Sequence, residues 1–268
     1  MTPPGRPDIS NAFRNALETA DRPLLGIWLM LNSFNATEGI SWAGFDWATI
    51  DGEHAPIELP DVVHHLRILE GSPTAPIVRL AWNDPILLKR HLDIGVGSFM
   101  LPFVQSAQEA RTAVQAMHYP PRGLRGMAGM HRADRFGHVP DYTETASENL
   151  FLICQIETVH AMDNLEEILA VDGVDSVFFG PSDLSASFGR PGDAQGEMVT
   201  ELILRARDRA AASGKFVGAL AADDEQARKF LSAGFDYVNV AIDAALLFRA
   251  ADARAADYRR LGHALIKV

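Results

Sequence analysis

The sequence predicts a single (β/α)8 (TIM) barrel over 1–268, with 1–22 as an N-terminal extension carrying a helix. Three observations predict it. Eight short, apolar, β-rich runs alternate with longer segments of helical period. The runs are apolar on both faces, as in a parallel sheet covered by helices. Eight such units fit 268 residues, and no linker or low-complexity tract divides the chain.

The first strand is LLGIWLML (Leu24–Leu31), a continuous apolar run of strand length. The second, WATID (Trp47–Asp51), ends abruptly in charge. The helical pattern Leu59–Glu70 then opens with Pro60, where a missing N–H costs nothing, and stops at Gly71. PIVRL (Pro76–Leu80) is the third strand, and the helix Pro85–Asp93 again opens on proline and stops at Gly95. SFMLPF (Ser98–Phe103) and the helix Ala107–His118 make the fourth unit.

The stretch Tyr119–Asn149 is irregular and too long for a spacer. It is expected to act as a functional loop or lid, or else to cover the barrel mouth structurally. FLICQIE (Phe151–Glu157) is the fifth strand, followed by a helix over Ala161–Ala170 that stops near Gly173. DSVFFGP (Asp175–Pro181) is the sixth, and the helix Glu197–Ala212 ends at Gly214. KFVGAL (Lys215–Leu220), the helix Asp224–Ala233 with its stop at Gly234, DYVNVAI (Asp236–Ile242) and the helix Ala244–Leu261 complete the set.

Net charge is −11, which argues against nucleic acid or an anionic membrane as a partner. An acidic protein that binds an anionic substrate needs a local cation, either an arginine or a metal. The one cysteine, Cys154, allows no intrachain disulfide and suits a reducing cytoplasm. It precedes Gln155 directly and is expected on the opposite strand face, inert. The N-terminus has no apolar signal core and no run is long enough to span a membrane, so the chain reads as untargeted and cytoplasmic.

Chemistry in such barrels sits at the C-terminal ends of the strands. Those ends read Trp28, then Asp51-Gly-Glu53-His54, Arg79, Pro102, Gln155 with Glu157, and Ser182-Asp183. The last two strands end blandly, in Gly218-Ala-Leu220 and Ala241-Ile-Asp243. Glu157 and Asp183 close neighbouring strands, and two carboxylates are how Mg²⁺ or Mn²⁺ is usually held, the substrate adding oxygens. Taken singly, either could instead cap the helix or turn that follows it. Gln155 shares a strand face with Glu157. Arg79, facing a barrel core, needs an anion. That anion is a substrate carboxylate, a developing oxyanion, or simply Asp51. His54 lies three residues after Asp51 and reads either as a general base with its orienting carboxylate or as a helix-entry residue.

Absences narrow the chemistry. Only Lys89, Lys215, Lys229 and Lys267 are present, none at a strand's C-terminal end, so neither a Schiff-base lysine nor pyridoxal phosphate is expected. No His-x-His ends the first strand, and the last two strands lack a glycine-rich phosphate cradle. GxGxxG is missing, and with it the expectation of NAD.

Five stretches, IDGEHAP, PIVRL, YPPRGLRG, CQIET and FFGPSDLSASFG, together and in this order resemble the HpcH/HpaI family of metal-dependent pyruvate aldolases. The likeness runs from about Leu24 to the last strand. It implies a (β/α)8 barrel with its last helix exchanged between partners, in a homo-hexamer built as a trimer of dimers. It implies a divalent metal (Mg²⁺, Mn²⁺ or Co²⁺) and reversible cleavage of 4-hydroxy-2-oxo acids to pyruvate, or a close 2-oxo acid such as hydroxypyruvate, plus an aldehyde.

Carried onto this chain, the likeness makes Glu157 and Asp183 the metal ligands. Arg79 would meet the keto oxygen as it becomes an enolate oxygen, and His54 with Asp51 would move the proton of the aldol hydroxyl. Gln155 would contact pyruvate oxygens or metal-bound water, and the Gly180-Pro181-Ser182 turn would offer backbone N–H groups to the carboxylate. Trp28 and Leu220 would line the pocket. Asp93, in HLDIG, would support the histidine of a neighbouring subunit. Ser182 stands where many relatives carry alanine, and Glu53 receives no role. Leu29–Ser33 and the long loop are less family-like, which leaves aldehyde and donor preference open. The alternatives on the same barrel are a 2-keto-3-deoxy sugar-acid aldolase, a malyl- or citramalyl-CoA-type lyase, and a binding protein without catalysis.

Overall fold

The computed structural model describes residues 7–265. Eight parallel strands close on themselves in chain order: β1 (Leu24–Leu29), β2 (Trp47–Asp51), β3 (Ala75–Arg79), β4 (Ser98–Leu101), β5 (Phe151–Ile156), β6 (Ser176–Phe179), β7 (Phe216–Leu220) and β8 (Tyr237–Ile242). β1 pairs with both β2 and β8, so the sheet has no free edge. The helices are α1 (Ala12–Thr19), α2 (Phe34–Ile40), α3 (Leu59–Leu69), α4 (Pro85–Asp93), α5 (Ala107–Met117), α6 (Tyr142–Thr145), α7 (Val159–Asp163), α8 (Leu165–Leu169), α9 (Pro181–Ser187), α10 (Glu197–Ala211), α11 (Asp224–Ala233) and α12 (Asp243–Leu265). None of them is long and apolar enough to cross a membrane.

Each strand lies where its apolar run placed it. Pro60 and Pro85 stand in the first turns of α3 and α4, and Gly234 caps α11 in the left-handed conformation with φ +83°. The expected helix Ala161–Ala170 is two short helices that meet at Asn164, and α2 and α9 replace what read as loop and strand end.

The barrel interior is filled with rings. Trp28, Trp47, Phe151, Phe178 and Tyr237 pack with Ile77, Met100 and Ile153. Such rings fit only where the neighbouring strand withholds a side chain. A Cβ on Gly26 would lie 2.1 Å from the Trp47 indole. The N-terminal face is closed by α1, whose Phe13 meets Trp47, Phe151 and Tyr237 edge-on at 5.9, 5.4 and 5.2 Å. Asn11 docks that helix by donating to Asn149 O at 3.0 Å while its carbonyl accepts from Ser98 Oγ at 3.0 Å. Three aspartates that precede strands, Asp46, Asp175 and Asp236, accept the amides of Leu25, Leu152 and Val217 on the adjacent strands at 2.8, 2.8 and 2.7 Å. Carboxylates thus staple the bottom of the barrel and leave the opposite end for chemistry.

The long segment before β5 does not cover the mouth of its own barrel. It follows α5 and precedes β5, so it lies against the N-terminal face. There the Ala133 amide donates to Asp93 O (3.1 Å) and Arg132 Nη1 to Ile94 O (2.7 Å). The expectation of a lid within one chain is therefore corrected. Asp93 lies at this same end, its carboxylate 3.0 Å from Arg125 Nη2.

At the mouth, Asp243 anchors the root of α12 to β1 by accepting the Met30 and Leu31 amides at 2.9 and 3.2 Å. Beyond the root the helix carries Leu246, Leu247, Phe248, Tyr258 and Leu261 exposed.

Removing the α1 ring leaves a cavity in a layer that cannot collapse. Phe13→Ala is expected to cost about 3–5 kcal/mol, read from urea unfolding.

Candidate active site

The second strand ends in a turn folded over its own aspartate. The β2–β3 register sets Asp51 opposite Arg79. The fully buried carboxylate takes Arg79 Nε at 2.9 Å and Nη2 at 2.8 Å, a two-point fork. Asp51 Oδ1 also accepts the amides of Glu53 (3.0 Å) and His54 (3.2 Å). Between them Gly52 donates to Arg79 O at 2.9 Å, and a Cβ there would stand 2.8 Å from that oxygen, so glycine lets the turn lie on the end of β3. The turn in this way brings Glu53 Oε2 to 2.7 Å from Arg79 Nη1. Trp28 supplies the floor, its ring 4.8 Å from the guanidinium carbon.

Two carboxylates on one guanidinium respond differently. Burial works against the Asp51 charge, but the Arg79 fork and its positive charge outweigh it and hold that carboxyl below its usual range. Burial pushes Glu53 up, and the nearby Arg79 does not fully offset it.

The expected pairing of His54 with Asp51 is corrected. Both Asp51 oxygens are held by Arg79, and His54 reaches that carboxylate only through its backbone amide. The imidazole is 56% exposed and its Nε2 is 3.8 Å from Glu53 Oε1. Glu53, which the sequence left without a role, thus stands between the arginine and the histidine.

Across the mouth, Glu157 is 1% exposed just beyond β5. Its Oε1 accepts the Phe103 amide at 2.8 Å, from a backbone held at φ +51°. Its Oε2 has no hydrogen-bond partner, and neither does the buried Oε1 of Gln155. Gly180 makes room for both, since a Cβ there would lie 2.9 Å from Glu157 Oε2 and 3.0 Å from Gln155 Nε2. Burial pushes the Glu157 carboxyl up to about 8, with the charges of Asp183 and Glu53 acting in the same direction. Asp183 is half-buried in the first turn of α9, whose residues begin at Pro181 rather than extending the strand. That turn offers fewer donors than expected, because Pro181 has no N–H and the Gly180 amide faces Ile156 O at 3.5 Å. Ser182 is exposed, and Leu220 packs on the interior cluster that holds Trp28.

Four carboxyl groups, Asp51, Glu53, Glu157 and Asp183, therefore share this end of the barrel with one buried guanidinium. The unpartnered oxygens of Glu157 and Gln155 and the raised Glu157 carboxyl mark a place where a cation fits. Among the described residues no three or more His, Cys, Asp or Glu side chains form a metal cage. A pair of carboxylates instead suits a hard ion that keeps positions open for water or substrate oxygens.

Residues 24–250 match the model of the HpcH/HpaI aldolase/citrate lyase family. The chain belongs to the HpcH/HpaI family. It is 44% identical over 251 residues to a 4-hydroxy-2-oxo-heptane-1,7-dioate aldolase of Klebsiella pneumoniae, covering 93% of this chain and 94% of the relative. An HpcH/HpaI aldolase/citrate lyase family protein from Burkholderia cenocepacia superposes with a TM-score of 0.88 at 38% identity, covering 93% of this chain and all of that one. The citrate synthase SbnG superposes with a TM-score of 0.81 at 26% identity, covering 95% and 99%. These relatives are named as aldolases, citrate lyases and a citrate synthase, all of them enzymes of carbon–carbon bonds.

The opposite shifts of Asp51 and Glu53 give a stability test. Asp51→Asn removes a charge that folding stabilises and is expected to cost about 3 kcal/mol in urea unfolding near neutral pH. Glu53→Gln removes a charge that burial disfavours and is expected to cost much less. The Asp51 contribution is present above the normal aspartate range and is lost as pH falls through its depressed value.

Proposed function

We propose that this HpcH/HpaI chain is a divalent-metal-dependent aldolase that reversibly cleaves 4-hydroxy-2-oxo acids to pyruvate, or a close 2-oxo acid such as hydroxypyruvate, and an aldehyde. The carrying observation is the guanidinium of Arg79, fixed from three sides beside the Glu157–Gln155–Asp183 group. The 44%-identical relatives named for aldol chemistry support the same reading.

Glu157 and Asp183 would hold Mg²⁺, Mn²⁺ or Co²⁺. When bound, the ion supplies Lewis-acid charge to the oxygens of a 2-oxo acid. A guanidinium has five N–H donors, and two are engaged by the Asp51 fork while Nη1 is ion-paired with Glu53, which leaves N–H groups to meet the keto oxygen. Charge develops on that oxygen as the C3–C4 bond breaks, so Arg79 acts more on the transition state than on the ground state. His54 takes the proton from the C4 hydroxyl as the bond electrons flow toward C2, and returns it in the synthetic direction. Glu53, beside it, orients the ring. Gln155 faces the substrate oxygens, and the Ser182 amide and hydroxyl meet the carboxylate. Trp28 and Leu220 wall the pocket, while Gly180 and Pro181 shape the turn that holds Ser182.

Asp93 lies at the far end of its own barrel, which supports its serving the histidine of a neighbouring chain in a homo-oligomer. The exposed apolar residues of α12 support exchange of that helix between partners. A trimer of dimers in the cytoplasm is the assembly this reading implies, and a fully buried free Cys154 is compatible with that compartment.

The test is incubation with Mg²⁺ or Mn²⁺ and pyruvate in D₂O. Methyl deuteration seen by NMR, abolished by chelator and restored by metal, is expected, and no exchange with either ion would contradict the proposal. Arg79→Lys is expected to slow turnover at least about a hundredfold, because a compact ammonium cannot keep both carboxylates and still reach the oxygen.

A cation must displace the Glu157 proton at any pH below about 8. Apparent Mn²⁺ affinity, followed by water-proton relaxation, is therefore expected to fall by up to about tenfold per pH unit below that value and to level off above it. The linkage runs the other way for metal-free protein. The unfolded chain loses this proton first, so stability declines as pH rises from the ordinary carboxylate range toward about 8.

A further inference from the structure

The loop leaving β1 and the turn leaving β2 meet at the mouth, and a buried histidine links them. His65, in the middle of α3, is fully buried. Its Nε2 lies 3.3 Å from Asn32 Oδ1 and its Nδ1 3.0 Å from Thr37 Oγ1 on α2. Asn32 in turn donates from Nδ2 to Pro56 O at 2.9 Å. A carbonyl oxygen can only accept, so Asn32 gives its amide to Pro56 and its oxygen to His65. His65 Nε2 therefore carries a proton, and Nδ1 of the neutral ring accepts from the threonine hydroxyl. Three hydrogen bonds thus run in one direction, from α2 through α3 and the β1 loop to the DGEHAP turn. Burial holds the imidazole below its usual pKa, assisted by His64 and against the charges of Asp61 and Asp243, and so keeps the ring neutral.

Asn32 stands at φ +46°, in the left-handed region. Just before it, Asp243 accepts the Met30 and Leu31 amides at 2.9 and 3.2 Å, so the loop is fixed by the root of α12 on one side and by His65 on the other. The turn it holds has its first anchor in Asp51, which accepts the Glu53 and His54 amides. Asn32 supplies the second anchor, two residues beyond His54. The His54 imidazole is 56% exposed, and its Nε2 is 3.8 Å from Glu53 Oε1, beyond hydrogen-bond reach. The backbone of the turn therefore decides where that ring stands.

Resting on the aldolase reading above, we propose that His65 is a positioning residue for His54: through Asn32 it fixes the DGEHAP turn at Pro56 and so sets where His54 meets the C4 hydroxyl. His65 itself is sealed in the protein and acts only through Asn32. Its influence falls on proton transfer rather than on binding of the 2-oxo acid, which Arg79, Glu157 and Asp183 would hold from other strands. Misplacing a reacting group by about 1 Å can cost up to about a hundredfold in rate, and a turn loosened at one of two anchors should cost less.

The experiment measures kcat and KM for cleavage of 4-hydroxy-2-oxo-heptane-1,7-dioate with Mn²⁺ in the wild type, His65→Leu, His65→Gln, Asn32→Gly and the double variant His65→Leu/Asn32→Gly. Glycine keeps the left-handed backbone and removes only the side-chain amide. His65→Leu and Asn32→Gly are each expected to lower kcat about tenfold with KM and Mn²⁺ affinity unchanged. The double variant is expected to lose no more than either alone, because both act through one chain of hydrogen bonds. His65→Gln, whose amide can still donate to Asn32, is expected to recover most of the loss. Additive losses, a raised KM, no recovery in His65→Gln, or an unchanged kcat in Asn32→Gly would overturn the proposal. Should His65→Leu fail to fold, Asn32→Gly decides it by the same split between kcat and KM. A wild type that leaves the substrate uncleaved would fail the aldolase reading instead, whereas cleavage that the variants do not slow would fail the positioning role alone.

Discussion

A buried arginine can exist at the mouth of this barrel only because two carboxylates hold it. Arg79 sits at the end of β3 over the Trp28 ring, and the β2–β3 register places Asp51 opposite it. An ion in such a place costs several kcal/mol unless its hydrogen-bonding capacity is met. Asp51 meets it with a two-point fork, and Glu53 is drawn in to hold the third nitrogen. Much follows from that demand. The DGEH turn folds inward, glycine is required at 52, and His54 is left at the solvent side beside Glu53 rather than beside Asp51.

The rest of the architecture makes that arrangement rigid. Rings fill the interior beneath the site, α1 seals the opposite end, and aspartates staple the strand starts. The mouth keeps an imbalance of negative charge. Asp51 and Glu53 use the arginine, while Glu157 and Asp183 have no buried cation of their own, and Glu157 responds with a raised carboxyl and an unpartnered oxygen. A barrel end built this way suits a cation and an anionic ligand together, because each relieves the cost of the other.

The strands were legible because parallel strands covered on both faces are written as unbroken apolar runs bounded by glycine and charge. α2 and α9 were not, because FNATEGI and PSDLSAS are short, largely polar, and too brief to show a helical period. The place of the 119–149 segment was recoverable from element order alone, since a segment between a helix and the next strand must lie at the N-terminal face. Its length suggested a lid instead. Arg79 with Asp51 was visible as one of several pairings, and the register selects it. The partner of His54 was misread because sequence proximity does not say which carboxylate an arginine has already taken. The Phe103 amide left no signal at all, since a residue's type does not reveal where its backbone N–H points.

In the proposed function, the carboxylates of Glu157 and Asp183 complete their charge balance with a divalent cation. Crystals soaked in Mn²⁺ at a concentration that supports pyruvate deuteration test it most directly, through an anomalous difference map. One strong peak per chain at bonding distance from both carboxylates, absent in Glu157→Gln, is expected. A peak elsewhere in the barrel, or none at either residue while activity persists, would contradict it.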